Sequence, residues 1–277
     1  MDHDAEGLAL VIGGSSGIGA AVAEAYRSQR THCVTWDIAG EPDVVCDVRD
    51  PDAVDRAVDE TRHLWGIPNW VTVTAGVGHG GLLADVTPDE FDRVLAVNTR
   101  GPWLCLRGWA RVLKAERRIG SLVAVSSVSA RLADRTMGVY CASKAALSML
   151  VRVAADEWGP DGLRVNAVAP GVTRTPMLGT ETGLTVEGSP WLAAVSARTS
   201  LGRLGEPDDI AQVILAVHGM EWVTGQIVAC DGGLSLRSPI DPYGEALRTR
   251  TERARRRRAE GVALSAERSG GRLDLGA

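Results

Sequence analysis

Tyr140 and Lys144 stand four residues apart in a chain of 277 residues that contains only three tyrosines. On a helix this spacing places both side chains on one face, with the ammonium near the phenol. A phenol ordinarily titrates near pH 10, and a positive charge within about 4–6 Å favours its phenolate. The pair therefore suits a general acid/base working on an alcohol or carbonyl oxygen. Twenty-eight of the 30 basic residues are Arg, so a lysine at this position stands out. Its bland alternative is a chance surface charge.

A second candidate site lies near the N-terminus. Gly13-Gly14-Ser15-Ser16-Gly17-Ile18-Gly19 follows the apolar run Leu8–Ile12 and precedes a stretch rich in Ala and Val. The G-x-x-x-G-x-G string is weak by itself in a chain with 32 glycines, but its place at a strand-to-helix turn is informative. Glycines there let the backbone bend and let a pyrophosphate approach the N–H groups at the helix N-terminus. The alternative is a tight turn in which Gly19 serves only close helix–strand packing. Asp37 closes the next apolar run, 18 residues after Gly19, near the spacing at which a carboxylate meets an adenosine ribose. It would accept from the ribose hydroxyls and repel a 2′-phosphate. Ser16, Ile38 and Ala39 offer no cation for such a phosphate. NAD is thus favoured over NADP, although an Asp at a strand end also serves as a turn or cap residue.

These groups need a scaffold, and the chain supplies a regular one. Short β-branched runs at Leu8–Ile12, His32–Trp36, Val44–Cys46, Trp70–Thr74, Ser121–Ser126, Leu163–Val168 and Gln226–Cys230 alternate with helical patterns near 17–29, 51–64, 88–116, 137–158 and 207–217. This alternation predicts an α/β fold, a Rossmann-type doubly wound parallel sheet of about seven strands with helices on both faces. Pro51, Pro88 and Pro207 sit at helix starts. Residues 1–236 form one expected domain. Within it, 171–206 lacks a strong period apart from a short helical pattern at Trp191–Val195, and a loop this long is usually a functional lid. The lid proper, about 176–200, offers Met177, Leu178, Leu184, Val186, Trp191, Leu192 and Val195 to a partly apolar substrate. The same side chains could instead pack the lid's own helix or a subunit contact. His79, Arg131, Asp134 and Arg135 are further candidates for the pocket mouth.

Composition bounds the remaining classes. The chain is 45% hydrophobic and 23% charged, ordinary values for a globular protein. No stretch approaches 18 consecutive apolar residues, and the opening MDHDAEG is acidic where a secretory leader would be basic. A cytoplasmic location without membrane insertion is the expectation. The five cysteines, Cys33, Cys46, Cys105, Cys141 and Cys230, are widely spaced and form no zinc pattern. They are expected to be small buried hydrophobes, and no metal is expected. Net charge is −5, with the basic excess confined to residues 237–277. This C-terminal extension includes seven Arg between Arg248 and Arg258. It reads as a partly helical or disordered tail, or as a segment docking on an acidic neighbour. The acidic body and the lack of interleaved aromatics argue against nucleic-acid binding.

Taken in order, GGSSGIG at 13–19, Asp37, Asp47-Val48, TAG at 74–76, VNTRG around Asn98, SSVS at 126–129, YCASK at 140–144, PGVTRT at 170–175, RLGEP at 203–207 and VTGQIVACDGG at 223–233 resemble the short-chain dehydrogenases/reductases, in their single-domain branch of about 250 residues. The resemblance covers about residues 7 to 235. It implies that Tyr140 is the catalytic acid/base, that Lys144 lowers its pKa and bonds the nicotinamide ribose, and that Ser127 orients the substrate oxygen. Asn98 would hold a water linking Lys144 to solvent. The cofactor would meet Gly13, Ser15, Ser16, Gly17, Ile18, Gly19, Asp37, Asp47, Val48, Ala75, Gly76, Pro170, Gly171, Val172 and Thr175, with Val172 and Thr175 on the carboxamide. Ser129 could line the substrate site. Two positions depart from the family pattern. Ile12 stands for a Thr before the glycine loop, and Val73-Thr74-Ala75-Gly76 stands for Asn-Asn-Ala-Gly, so support of the loop must differ locally.

The implied reaction is NAD-dependent interconversion of a secondary alcohol and a ketone, with hydride transfer and Tyr140 acid/base catalysis. The partner is a small, partly apolar alcohol or ketone. The alternatives are an NADPH-dependent 3-oxoacyl-thioester or ketone reductase, and a dinucleotide-binding regulatory protein without turnover. The family usually forms homotetramers, in part through its two long helices. Here the second of these presents Ala142, Ala145, Ala146 and Ala154, which could equally pack on the chain's own sheet.

Overall fold

The computed structural model describes residues 7–178 and 190–236. The chain divides into two compact units, Met1–Ser235 and Leu236–Ala277. The Arg248–Arg258 run, Leu184 and Val186 lie outside the described residues.

Seven strands form one sheet: β1 (Leu8–Ile12), β2 (His32–Asp37), β3 (Val44–Val45), β4 (Trp70–Val73), β5 (Gly120–Val125), β6 (Leu163–Pro170) and β7 (Ile227–Cys230). Their order is β3-β2-β1-β4-β5-β6-β7 and every pairing is parallel. The helices are α1 (Gly17–Ser28), α2 (Pro51–Leu64), α3 (Pro88–Leu95), α4 (Gly101–Ala115), α5 (Gly138–Trp158), α6 (Pro190–Arg198) and α7 (Pro207–Gly219). This is the expected doubly wound Rossmann-type architecture.

Strand periodicity sorts the core into two layers. Leu8, Leu10 and Ile12 of β1 face a cluster with Val54 and Val58 of α2, Leu104 and Trp109 of α4, and Leu147 and Val151 of α5. Ala9 and Val11 face the opposite cluster, with Val22 and Tyr26 of α1 and Ile210 and Ile214 of α7. Both faces of β1 are fully buried, which is why its sequence is an unbroken apolar run. His218, on the last turn of α7, is buried against β4 and β5. Its ring nitrogens lie 3.0 Å from Thr72 Oγ1 and 2.9 Å from Ser121 Oγ. Burial, with the nearby Arg164 charge adding to it, lowers its pKa from 6.5 to about 3.

The expected single helix at 88–116 is divided. A five-residue π turn, Ala96–Arg100, separates α3 from α4. Pro102 lacks the N–H that a continuing α-helix would give to the Asn98 carbonyl, and the Gly101 N–H reaches back instead to Ala96. The wider turn directs Asn98 inward, where it is fully buried. Cys33, Cys46 and Cys105 are buried as expected, whereas Cys141 and Cys230 are only half-buried. α5 is long and apolar enough to cross a membrane by length and composition, yet it buries Lys144, Leu147 and Val151 in the core described above. Its Ala142, Ala145 and Ala146 are exposed, and Ala154 is buried.

Candidate active site

The sheet order reverses at β1, whose neighbours β2 and β4 leave in opposite directions. A crevice opens there beyond the carboxyl ends of the strands, the usual ligand position in such sheets. A cavity of about 1220 Å³ occupies it.

The glycine loop leaves β1 into this crevice. Gly13 has φ +87° and Gly17 has φ +51°, conformations that disfavour a side chain. At Gly19 a Cβ would lie 1.9 Å from the Gly13 carbonyl oxygen, so only glycine lets the loop close on α1. The Gly13 and Gly14 N–H groups donate to the Trp36 carbonyl at 2.8 and 3.1 Å. Asp37 follows, with one carboxylate oxygen accepting from Ser15 N (3.0 Å) and the other from Ile38 N (2.7 Å). The strand end that carries the acidic residue is thereby fixed to the loop.

Thr74 supplies the support that Ile12 lacks. Its hydroxyl lies 3.0 Å from the Ile12 carbonyl oxygen and 2.9 Å from that of Gly13, while its N–H and that of Ala75 also donate to Ile12. One hydroxyl from β4's end thus braces the start of the glycine loop.

The catalytic candidates come from β5 and α5. Ser127, just past β5, is nearly buried, and its Oγ accepts from Ser129 N at 3.1 Å. With a lone pair engaged there, its hydroxyl can still donate its proton. Tyr140 and Lys144 occupy the first two turns of α5, and the Lys144 ammonium sits 5.8 Å from the Tyr140 ring centroid. Lys144 donates to the Val125 carbonyl at 2.9 Å. Burial lowers its pKa from 10.5 to about 8, because a charged ammonium is costly in a desolvated site. Gly76 makes room for this group. A Cβ there would lie 3.3 Å from Asn98 Oδ1 and 3.4 Å from Lys144 Nζ.

Most of the residues singled out from sequence line the one cavity: Gly13, Ser16, Gly17, Ile18, Gly19, Asp37, Asp47, Val48, Ala75, Gly76, Ser127, Tyr140, Lys144, Pro170, Gly171, Val172 and Thr175. Ser15 and Asn98 do not. Asn98 is set behind Gly76, where its Oδ1 accepts from Val77 N (2.8 Å) and its Nδ2 donates to Val77 O (2.8 Å) and Ser143 Oγ (3.1 Å). Ser143 Oγ in turn donates to the Tyr140 carbonyl at 2.7 Å. Asn98 therefore braces the β4 loop against the turn carrying Tyr140. Asp47 pairs with Arg49 at 2.7 Å, which holds its carboxyl below the usual carboxylate range. Thr175 packs at Gly17, whose added Cβ would lie 3.3 Å from the Thr175 Cβ.

Sequence reading did not single out Ser143, Arg93, Val97, Arg198 or Leu234, the last four of which line the cavity. Ser143, three residues after Tyr140, carried only the helical spacing as a signal. Of the four candidates for the pocket mouth, His79, Asp134 and Arg135 line the cavity and Arg131 does not; His79 is buried there, where a histidine in a glycine-rich loop is more often a surface residue. Among the described residues no group of His, Cys, Asp and Glu is placed to hold a metal ion.

The site fits a dinucleotide on its own features. The N-terminus of α1 has no side-chain cap at Ser16, leaving its N–H groups for an anion. Ser15 Oγ beside Asp37 is buried without a hydrogen-bond partner, and the glycines clear the approach.

Residues 13–235 match the family model described as enoyl-(acyl carrier protein) reductase. The chain is 34% identical over 252 residues to versicolorin reductase of Emericella nidulans, covering 82% of this chain and 94% of that protein. It is 31% identical over 242 residues to 2,5-dichloro-2,5-cyclohexadiene-1,4-diol dehydrogenase of Sphingobium indicum, covering 82% and 96%. The ligand-free aldohexose dehydrogenase of Thermoplasma acidophilum superposes with a TM-score of 0.79 at 27% identity, covering 85% of this chain and 96% of that one. The chain belongs to the short-chain dehydrogenase/reductase family, oxidoreductases that bind a nicotinamide dinucleotide.

Proposed function

We propose that this protein is an NAD-dependent dehydrogenase that interconverts a secondary alcohol and a ketone. The observation that carries the reading is the convergence of Ser127, Tyr140 and a buried Lys144 on the cavity that also holds the glycine loop and Asp37. The bound nicotinamide would accept or give the hydride. The chain's own residues hold and move the proton. Ser127 Oγ donates to the substrate oxygen, and Tyr140 takes the alcohol proton in oxidation or returns it in reduction. The Lys144 ammonium, charged below about pH 8, favours the phenolate. Gly13, Ser16, Gly17, Ile18 and Gly19 would hold the pyrophosphate, Asp37 the adenosine ribose, Asp47 and Val48 the adenine, and Ala75, Gly76, Pro170, Gly171, Val172 and Thr175 the nicotinamide half.

Asp37 supports NAD over NADP, since a carboxylate at the end of β2 suits ribose hydroxyls and would repel a 2′-phosphate. NAD is mostly oxidised in cells, which favours alcohol oxidation as the working direction. The names of two similar proteins, a cyclohexadiene diol dehydrogenase and an aldohexose dehydrogenase, support a hydroxylated substrate. Leu132, Met177, Trp191 and Val195 along the cavity support one that is partly apolar. We place the protein in the cytoplasm as a homotetramer, with the exposed Ala142, Ala145 and Ala146 face of α5 in a subunit contact.

The test is a tryptophan-fluorescence titration with NADH and NADPH, followed by an alcohol and ketone panel run with wild type and Tyr140→Phe. Tighter NADH binding and turnover that depends on Tyr140 are expected. Tighter NADPH binding would make the NADPH-dependent reductase the better reading, and binding of neither would remove the enzyme reading.

A further inference from the structure

Ser129 and Asp134 form a polar pair in the same cavity that the proton chemistry above does not use. Ser129 follows the catalytic serine by two residues, and its N–H is the group that Ser127 Oγ accepts from. Its own hydroxyl donates to Asp134 Oδ2 at 2.6 Å, a short, charge-assisted bond. Ser129 is nearly buried and Asp134 half-buried. Among the described residues no cation pairs with this carboxylate. Arg131 and Arg135 flank it in sequence and Arg93 lines the same cavity, yet none of them comes within ion-pair distance of it.

We propose that Ser129 and Asp134 recognise a second hydroxyl of the substrate, next to the one that reacts at Ser127 and Tyr140, so that the physiological substrate is a diol or polyol. The assignment rests on the dehydrogenase reading above and names the specificity of its site. The hydroxyl proton of Ser129 is committed to Asp134, so its oxygen presents lone pairs to the cavity, and the second carboxylate oxygen of Asp134 has no partner among the described residues. Both groups are acceptors, so what they select is a donor. A substrate hydroxyl matches them, and a carboxylate at that point would be repelled. Leaving the nearly buried Ser129 oxygen and the half-buried carboxylate beside it unmatched inside a filled site is costly, which is how a polar site rejects an analogue lacking one hydroxyl. The apolar side chains of Leu132, Trp191 and Val195 along the cavity suit the carbon frame carrying the two hydroxyls.

The experiment compares cyclohexanol with 1,2-, 1,3- and 1,4-cyclohexanediol, with NAD+, in wild type, Ser129→Ala and Asp134→Asn. Wild type is expected to prefer at least one diol over cyclohexanol by tenfold or more in kcat/KM, the value of about one charge-assisted hydrogen bond. Each variant should lower that preference by fivefold or more, chiefly through the KM of the diol. A purely structural role for the pair would move both alcohols alike and leave their ratio unchanged, and that result overturns the proposal. A wild type without diol preference overturns it too. Calorimetric binding of the same four alcohols to the enzyme–NADH complex gives the comparison independently of turnover, and equal affinity for all four is a further refutation. Failure of NADH itself to bind would instead strike the dehydrogenase reading.

Discussion

Lys144→Met separates what the lysine gives to the chemistry from what it costs the fold. Burial moves its pKa from 10.5 to about 8, and each unit is worth about 1.4 kcal/mol, so holding the ammonium charged costs about 3 kcal/mol at neutral pH. The sign follows from proton counts. Between pH 8 and 10.5 the unfolded chain keeps this proton while the folded chain releases it, so stability rises with pH across that window. Below pH 8 the penalty is complete. Methionine removes the charge at similar length, but it also removes the donor to Val125 O, a loss of about 1–3 kcal/mol if the carbonyl stays unpaired. The variant without cofactor should therefore be as stable as wild type or more stable at pH 7, by up to about 2 kcal/mol. Turnover should fall by about a hundredfold or more. Urea unfolding at pH 7 and pH 10 checks the fold. Wild type should gain about 2–3 kcal/mol on the variant over that interval. A wild-type-minus-variant difference that does not change with pH would refute the reasoning, as would a variant that unfolds far more easily than wild type at pH 7.

Three further changes probe the supports. His218→Gln removes a group whose pKa falls from 6.5 to about 3 on folding, so stability from the neutral ring is complete above pH 6.5 and lost as pH falls toward 3. Urea unfolding should show wild type losing about 2 kcal/mol relative to the variant between pH 7 and pH 5. Thr74→Val deletes the hydroxyl that braces Ile12 and Gly13 at nearly constant volume. It should cost about 1–3 kcal/mol of stability and weaken NADH binding by about tenfold in a fluorescence titration, with Thr74→Ser restoring both. Gly76→Ala places a methyl 3.3 Å from Asn98 Oδ1 and 3.4 Å from Lys144 Nζ. Steady-state kinetics should show kcat falling more than NADH affinity, because the crowding falls on Lys144 and on Asn98, which braces the turn carrying Tyr140.

Sequence by itself determined the alternation of buried strands and amphipathic helices. That information is local: β1 reads as Leu-Ala-Leu-Val-Ile because both its faces are covered, and the spacing of Tyr140 and Lys144 needs only a helix to bring them together. The glycine loop and Asp37 were legible for the same reason, since each sits at the end of a recognisable strand. Tertiary structure alone decided how these pieces are held. Pro102 marks locally where the 88–116 pattern can break, but the inward placing of Asn98 in the π turn depends on Val77 and Ser143, partners 21 and 45 residues away. The replacement of the missing threonine at position 12 by the Thr74 hydroxyl spans 61 and 62 residues and follows from β1 and β4 lying side by side. The depressed pKa of Lys144 comes from the packing that excludes water around it. Local pattern fixes which residue types face inward, but hydrogen bonds and desolvation depend on strand order and on what covers each group, which periodicity does not encode.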